Sequence, residues 1–232
     1  DRKKLKILPL SQRISKSSVD EIMLDPDTDN FNFIEDSRLE EIALGIKNAR
    51  ENKRAIILTF GAHFVKNGLS LVLKNLMERG YVTYIAMNGA VPIHDWEIAY
   101  QGKTEEDVRY YLERGQFGIW EETGKYLNLA IISGALKNRG YGESIAEMIH
   151  KDKIEFPEEI PVEIQKKLIN GEVDYTKKLE VKHLFKNYSF LNSAFVNNVE
   201  VSVHPHFGHD IIYTHPLSDG ASIGRAAEID FL

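Results

Sequence analysis

A β-branched apolar run, Ala55-Ile56-Ile57-Leu58-Thr59-Phe60, is followed at once by Gly61. A continuous run of this kind is typical of a strand that is buried in a parallel sheet. Apolar residues then recur at helical spacing from Leu69 to Met77, and Gly80 provides a stop signal. A second apolar run, 81–87, leads into another glycine loop. Strand, helix and strand within about 30 residues predict a right-handed βαβ unit.

Helical and strand patterns continue on both sides of this unit. Helices are predicted over 36–51, from Thr104-Glu105-Glu106 onward, over 119–136, 142–150 and 182–197, and from Gly220 to Leu232. Residues 199–204 alternate like a strand, and 210–213 are predicted to form a short one. Strands separated by helical stretches indicate an α/β fold with a mainly parallel sheet.

The sequence predicts one domain that is preceded by an arm. Residues 1–35 mix Lys and Ser with scattered apolar residues, which predicts an extended N-terminal arm with a turn at 25–30. Residues 36–232 are predicted to form a single α/β domain with a surface excursion at 151–174. The last helical pattern reaches Leu232 without a stop signal, so we expect the domain to be incomplete at its C-terminus.

Composition and charge argue against several classes of protein. The 29 basic and 35 acidic side chains give a net charge of −6, whereas a protein that binds the phosphate backbone normally carries a basic surplus. No apolar run approaches the roughly 20 residues of a membrane span. With no cysteine there is no disulfide, iron–sulfur cluster or thiolate nucleophile. We therefore expect a cytoplasmic protein that binds neither nucleic acid nor a membrane.

Polar loops that contain glycine follow the predicted strands at 61–68, 88–95 and 204–220. Ligands of open parallel sheets bind beyond the carboxyl ends of the strands. Glycine lets the backbone approach a ligand, and the next helix offers unpaired N–H groups to an anion, so a dinucleotide pyrophosphate suits these loops. The loops do not carry the G-x-G-x-x-G pattern, and plain tight turns are the alternative.

His94-Asp95 follows the second glycine loop and is the candidate catalytic pair. A histidine beside a carboxylate at a strand end can act as an acid–base pair or orient a substrate. In the alternative, Asp95 caps a helix that begins near Trp96, and His94 has no chemical role.

Other acidic residues stand at predicted helix starts. Glu121-Glu122 are predicted either to bind a cationic amine substrate or to complement the dipole of their own helix. Asp219, at a turn into the last helix, is predicted either to hold ribose hydroxyls or to act as the N-cap.

A histidine cluster consists of His204, His206, His209 and His215, with Asp210 among them. His204 and His206 share one face of a predicted strand, so both could bind one metal with His209 or Asp210 as a third ligand. The spacing does not match the HExxH pattern, and such histidines also bind organic substrates without a metal. We assign His204 to substrate binding and predict no metal site.

The three loops together, in this order, resemble those of the deoxyhypusine synthase family. The residues that carry the resemblance are 61–69, Asn88-Gly89-Ala90-Val91-Pro92-Ile93-His94-Asp95, and 215–222. The match is close over 50–100 and looser over 180–225. Trp120-Glu121-Glu122-Thr123-Gly124, between these regions, is not a pattern of that family.

The resemblance implies a Rossmann-like, three-layer αβα fold, a homotetramer and the cofactor NAD. It places His94 close to the cofactor and an amine substrate. The family passes a butylamine unit from spermidine through a catalytic lysine, but no lysine follows Lys186 here. We expect either that the chain ends before that lysine or that it is a divergent member, and the middle block that contains Trp120 favours divergence. The positions that look like cofactor contacts are Gly61, His63, Phe64, Lys66, Asn88, Gly89, Ala90 and Asp219.

The leading hypothesis is thus an NAD-dependent enzyme that acts on a small amine or amino acid. The first alternative is a catalytically silent nucleotide-binding or assembly protein with the same fold. The second is a metal-dependent enzyme that uses the histidines of 204–215.

Overall fold

The computed structural model describes residues 2–28 and 34–232, and its strands form a parallel sheet and two short antiparallel pairs. Within these residues the parallel sheet has the order β2-β3-β7, while β1 pairs with β4 and β5 with β6. The strands are β1 (Ser15–Ser18), β2 (Ile57–Phe60), β3 (Tyr84–Asn88), β4 (Lys103–Glu106), β5 (Lys153–Ile154), β6 (Leu179–Glu180) and β7 (Glu200–His204).

Helices connect and cover these strands, which makes the fold mixed α/β. Short 3₁₀ turns accompany them, among them Lys186–Tyr188 and Ile211–Thr214. The helices are α1 (Val19–Ile22), α2 (Ser37–Glu51), α3 (His63–Lys66), α4 (Ser70–Glu78), α5 (Ala90–Gln101), α6 (Val108–Leu112), α7 (Glu121–Leu136), α8 (Tyr141–Lys151), α9 (Val162–Asn170), α10 (Phe190–Val196) and α11 (Gly220–Phe231). Within residues 2–28 and 34–232, no helix is both long enough and apolar enough to cross a membrane.

The strand, helix and parallel strand of the predicted βαβ unit are confirmed. Strands β2 and β3 are parallel, with Ile57 opposite Tyr84, and α4 lies between them in the chain. Strand β7 is parallel to β3 on its other side, where Asn88 is opposite His204. The loops that follow the three strands therefore lie side by side at one edge of the sheet.

One face of the parallel sheet packs into the core and the other is more open. Ile85, Met87 and Val203 point into the core and are almost fully buried. Residues 57–60 form a parallel strand as predicted, but the prediction that this strand is buried is wrong, because β2 is an edge strand and Ile57 is 61% exposed.

The N-terminal residues pack onto the domain rather than extend from it. Leu10 and Val19 are buried in the core. Strand β1 pairs antiparallel with β4, so that Ser15 lies opposite Glu106. The predicted helix start at 104–106 is wrong, because β1 supplies backbone hydrogen bonds that make this stretch a strand. The helix begins instead at Val108.

Helix α5 begins six residues earlier than the sequence predicts. It starts at Ala90, directly after β3, and ends where Gly102 adopts a left-handed φ of 68°. Both His94 and Asp95 therefore lie inside a helix, and the predicted cap at Asp95 of a helix beginning near Trp96 is wrong. Their side chains project from different sides of α5.

Other sequence predictions are confirmed or corrected in part. The helices predicted over 36–51, 119–136, 142–150 and from Gly220 are confirmed as α2, α7, α8 and α11, and the strand over 199–204 as β7. The surface excursion at 151–174 contains α9, the helix predicted over 182–197 is broken before α10, and residues 211–214 form a 3₁₀ turn instead of a strand. The turn at 25–30 is seen through Thr28, and its last two residues lie outside the described ranges.

Candidate active site

A cavity of about 290 Å³ lies beyond the carboxyl end of β3, where the first turns of α5 begin. Ile93, Phe117 and Ile211 form part of its apolar wall. A volume of this size is at the lower end of pockets that bind small molecules. The polar and charged groups that line it are Arg13, Lys66, His94, Glu97, Glu105, Glu106, His209 and Asp210.

His94 is joined by hydrogen bonds to a buried carboxylate. Its Nδ1 lies 2.7 Å from Oγ1 of Thr104, and the same hydroxyl donates to Oε2 of Glu97 over 2.7 Å. Burial, the largest effect, lowers the pKa of His94 below its usual value, and the positive charges of Lys66 and Arg13 act in the same direction. The imidazole is therefore mainly neutral at pH 7, as a proton acceptor requires.

Glu97 is held by a two-pronged ion pair with Arg13. The guanidinium donates to both carboxylate oxygens over 2.6 and 2.8 Å, and Thr123 adds a third donor at 3.0 Å. Both charged side chains are at most 2% exposed. Burial, the largest single effect, raises the pKa of Glu97, but the charge and hydrogen bonds of Arg13 together with His94 and Thr104 outweigh it, and the pKa is lowered. Glu97 is thus a carboxylate at neutral pH.

Two more carboxylates come from β4. Glu105 has a φ of 65° and lies 3.5 Å from Nζ of Lys66. Glu106 accepts hydrogen bonds from the Gly118 amide and the Trp120 indole, each over 2.9 Å. Burial raises the pKa of Glu106 above its usual value. Within the described ranges no cation lies within ion-pair distance of Glu106.

Asp210 reaches the start of α5 from the loop after β7. Its carboxylate lies against the backbone of Gly89, where any Cβ would collide with it. Oδ2 is buried and has no hydrogen-bond partner among the residues described. Burial raises the pKa of Asp210.

The site that was predicted to bind the NAD pyrophosphate is therefore occupied by side chains of this protein. A pyrophosphate at the α5 N-terminus needs the space beside Gly89 and the unpaired amides there. The carboxylate of Asp210 stands in that space, and Oδ1 of Asn88 accepts from the Ala90 amide over 3.2 Å. As folded here, these residues do not fit a dinucleotide at this helix start.

The structure brings only part of the predicted cofactor set into the cavity. Lys66 and Ala90 line it together with His94. Gly61 lies next to Asn88, since a Cβ there would be 3.5 Å from the Asn88 amide nitrogen. His63 is exposed on α3, and Phe64 stacks on Phe60 with ring centroids 4.3 Å apart, so neither lines the cavity.

Asp95 points away from the cavity and holds the start of α10. It is fully buried and accepts from the Ser189 hydroxyl at 2.5 Å and from the amides of Phe190 and Leu191 at 3.0 and 3.3 Å. Burial raises the pKa of Asp95 to about 7 despite these donors. Asp95 therefore caps a helix that lies almost a hundred residues later in the chain.

Glu121 and Glu122 also lie outside the cavity. Oε2 of Glu121 is 3.4 Å from Nε2 of His215, and Glu121 pairs with Lys125 at 3.6 Å. Glu122 accepts from the Leu10 amide over 2.6 Å. These bonds tie the N-terminal segment and the 215 turn to α7, so the predicted pocket for a cationic amine is not formed by this pair.

The histidine cluster and Asp219 have separate positions. His204 is exposed and contacts Ser202, while His215 is buried against α7. No group of three metal-ligand side chains able to hold an ion is found in residues 2–28 and 34–232. Asp219 caps α11 through the Ser222 amide at 2.8 Å and pairs with Lys167 at 2.6 Å, which is its predicted alternative role.

Several cavity residues were not predicted as site residues. Glu97 had a local signal, because it lies three residues after His94 and thus on the same side of a helix. Glu105 and Glu106 were predicted as part of a helix start, as was Thr104, which contacts His94 without lining the cavity, and Asp210 was predicted only as a metal ligand. Arg13 had no local signal, since it lies 84 residues from its partner Glu97.

Comparisons with known proteins add a weak structural similarity. No family model matches the chain, and no curated protein matches it. A solved structure of ArgZ, an arginine dihydrolase from the ornithine–ammonia cycle in cyanobacteria, aligns with a TM-score of 0.39 and 16% identity over 82% of this chain. The chain spans 20% of that protein's length. The assignment of function therefore rests on the cavity itself.

Proposed function

We propose that this chain is an enzyme that binds a small, positively charged substrate, an amine or an amino acid, in the cavity beyond β3. His94 is its acid–base residue. The observation that carries the proposal is that His94 shares one cavity with two carboxylates, Glu106 and Asp210, that have no cation within ion-pair distance in the described ranges. The more distant charges of Arg13, for Glu106, and of His206 and His209, for Asp210, still lower the pKa of these acids, against the larger effect of burial.

The charges of the cavity favour a cation. Arg13 is paired with Glu97, and Lys66 lies beside Glu105. The carboxylates of Glu106 and Asp210 therefore make the cavity acidic. An ammonium group can donate up to three hydrogen bonds and supply the missing charge. Its entry would favour the ionised form of both acids, whose pKa burial raises.

His94 suits the role of a base beside such a group. A neutral imidazole with a pKa near or below the ambient pH accepts a proton readily. An amine bound in a cavity of about 290 Å³ would place its α or adjacent carbon within reach of this side chain. The reaction class is proton transfer to or from the bound amine or its neighbouring carbon.

The wider proposal keeps the family expectation: a Rossmann-like three-layer protein related to the deoxyhypusine synthases, a homotetramer, with NAD as cofactor. The parallel order β2-β3-β7 and the adjacent loops support it. NAD binding requires that Asp210 moves away from Gly89. Residues 208–211 also line a second cavity of about 450 Å³, which offers space for that movement.

The test is ligand-induced stabilisation with probes of opposite charge. Spermidine, 1,4-diaminobutane, lysine, succinate and NAD are each added to the protein at millimolar concentration, and Tm is measured. We expect the amines to raise Tm and succinate to leave it unchanged, because saturating ligand stabilises by a few kcal/mol. Stabilisation by succinate alone, or by none of the amines, contradicts the proposal.

A matched pair of variants locates the binding. Glu106→Gln removes a cavity charge, whereas Glu121→Gln removes a charge of the same type outside it. Glu106→Gln should weaken amine binding at least tenfold, and Glu121→Gln should change it less than twofold. His94→Gln should abolish turnover of any amine that proves to be a substrate while still binding it. Binding of an amine without turnover by the wild type favours the silent binding protein, and turnover that His94→Gln leaves unchanged contradicts the role of His94.

A further inference from the structure

The hydroxyl of Thr104 has one proton to donate, and its two neighbours decide where that proton goes. The carboxylate of Glu97 can only accept, and its Oε2 lies 2.7 Å from Oγ1 of Thr104. The hydroxyl proton therefore points to Glu97. The contact of 2.7 Å between the same oxygen and Nδ1 of His94 is then a hydrogen bond in which the imidazole donates.

We propose that Thr104 is a positioning residue that fixes His94 as its Nδ1–H tautomer and leaves the lone pair of Nε2 free to accept a proton in the cavity. The partner of one imidazole nitrogen determines the state of the other. Among the described residues Nε2 of His94 has no hydrogen-bond partner, so no other contact competes with this assignment.

Arg13 completes the arrangement from the N-terminal segment. Its two bonds to Glu97 keep that side chain ionised and fix the direction of its oxygens. The same segment contains β1, which pairs with β4 and so holds Thr104 opposite Ser17. The residues before Val19 thus support the position of His94 in two ways. Arg13 fixes the Glu97 carboxylate, and β1 holds the strand that contains Thr104.

The inference concerns the base of the proposed function but does not depend on which ligand binds. The tautomer is a property of the free protein, so it is measured without any ligand. Failure of every amine to bind would contradict the proposed function and leave the tautomer result intact. A different tautomer would contradict this inference and leave amine binding intact.

The experiment is a long-range ¹H–¹⁵N correlation spectrum of the imidazoles at pH 7.5, with the His94 signals assigned from their loss in His94→Gln. In the wild type we expect the pattern of an Nδ1–H imidazole. Thr104→Val removes the hydroxyl at nearly constant shape, and the His94 proton should then distribute over both nitrogens. Thr104→Ser retains the hydroxyl and should restore the wild-type pattern.

Two outcomes overturn the inference. One is an Nε2–H pattern for His94 in the wild type, which requires no variant to fold. The other is a folded Thr104→Val protein whose His94 pattern is unchanged. A purely structural role for Thr104 predicts lower Tm for Thr104→Val with that unchanged pattern, so the spectrum separates the two roles.

Discussion

His94 and Asp95 are consecutive residues with unrelated surroundings. Successive side chains of a helix point about 100° apart, so one residue of the pair faces the cavity and the other faces the core. His94 contacts Thr104, whereas Asp95 accepts from Ser189 and from two amides of α10. The sequence predicts His94 and Asp95 as a catalytic pair, but in the structure His94 is a candidate base and Asp95 is a buried helix cap.

His183 gives a pH-dependent prediction at the residue scale. It is 3% exposed, accepts from the Trp96 indole at 3.0 Å and lies 3.1 Å from Asp152. Burial lowers the pKa of His183 to about 4 although Asp152 opposes the shift. The unfolded chain binds a proton near pH 6.5, so stability from this group is complete above that pH and is lost as the pH falls toward 4.

We expect wild type to lose about 3 kcal/mol of unfolding free energy from this group between pH 7 and pH 4. The measurement is urea unfolding at several pH values for wild type and for His183→Gln, which retains an acceptor for Trp96. The difference in unfolding free energy between wild type and His183→Gln should decrease by about 3 kcal/mol as the pH falls from 7 to 4. Parallel pH curves for the two proteins would contradict the assignment.

At the scale of elements, aspartate side chains cap the starts of helices, and Asp95 does so from a different helix. Asp95 on α5 caps α10, Asp219 caps α11, and Asp107 caps α6 through the amide of Tyr110. A buried cap differs from an exposed one because water cannot replace it. The contribution of such a residue therefore depends on its burial more than on its type.

Asp95→Ala tests this at α10. The change leaves the Ser189 hydroxyl and two amides without their acceptor in the core, so we expect a loss of about 3 kcal/mol or more of unfolding free energy. His94→Ala, its neighbour, should cost about 1 kcal/mol because it removes a single hydrogen bond beside a cavity. Thermal unfolding of both variants gives the comparison. Equal losses would mean that His94 is a packing residue.

At the scale of the whole molecule, the N-terminal segment is part of the domain. Its side chains Leu10 and Val19 belong to the core, and Arg13 pairs with Glu97 on α5. The N-terminal segment is therefore part of the domain, and the predicted boundary at residue 35 does not mark the end of a separate arm.

Arg13→Met should destabilise the protein strongly, because it leaves the Glu97 carboxylate buried without its cation. We expect a cost of about 3–5 kcal/mol. The double variant Arg13→Met/Glu97→Leu should recover part of that loss, since replacing both partners of a buried ion pair is far less costly than removing one. Chemical denaturation of the three proteins measures it. If Arg13→Met were as stable as wild type, the ion pair between Arg13 and Glu97 would not contribute to the unfolding free energy.

The assembly is also predicted at this scale. The resemblance to deoxyhypusine synthases predicts a homotetramer, and closed dihedral symmetry is common for such assemblies. Light scattering coupled to size-exclusion chromatography should give four times the chain mass of 26.5 kDa at micromolar concentration. A mass equal to one chain would contradict the prediction.

The sequence by itself determined the local elements and part of the site. Runs of apolar residues at spacings of two and 3.6 are set by neighbours in the chain, so β2, β3, the βαβ unit and α7, α8 and α11 could be predicted. Parallel strands place their carboxyl ends together, which correctly brought the loops after β2, β3 and β7 to one edge. His94 was predicted as a site residue because it follows β3 at this edge of the sheet.

Only the tertiary structure decided which charges face the cavity. Local patterns do not show that β1 turns 103–106 into a strand, that Arg13 finds Glu97, or that Asp210 reaches Gly89. Those contacts join segments far apart in the chain, and they form because a buried charge or amide must find a partner wherever the fold supplies one. The acids first predicted to bind an amine, Glu121 and Glu122, are held by His215 and Leu10 for that reason, and Glu106 and Asp210 face the cavity instead.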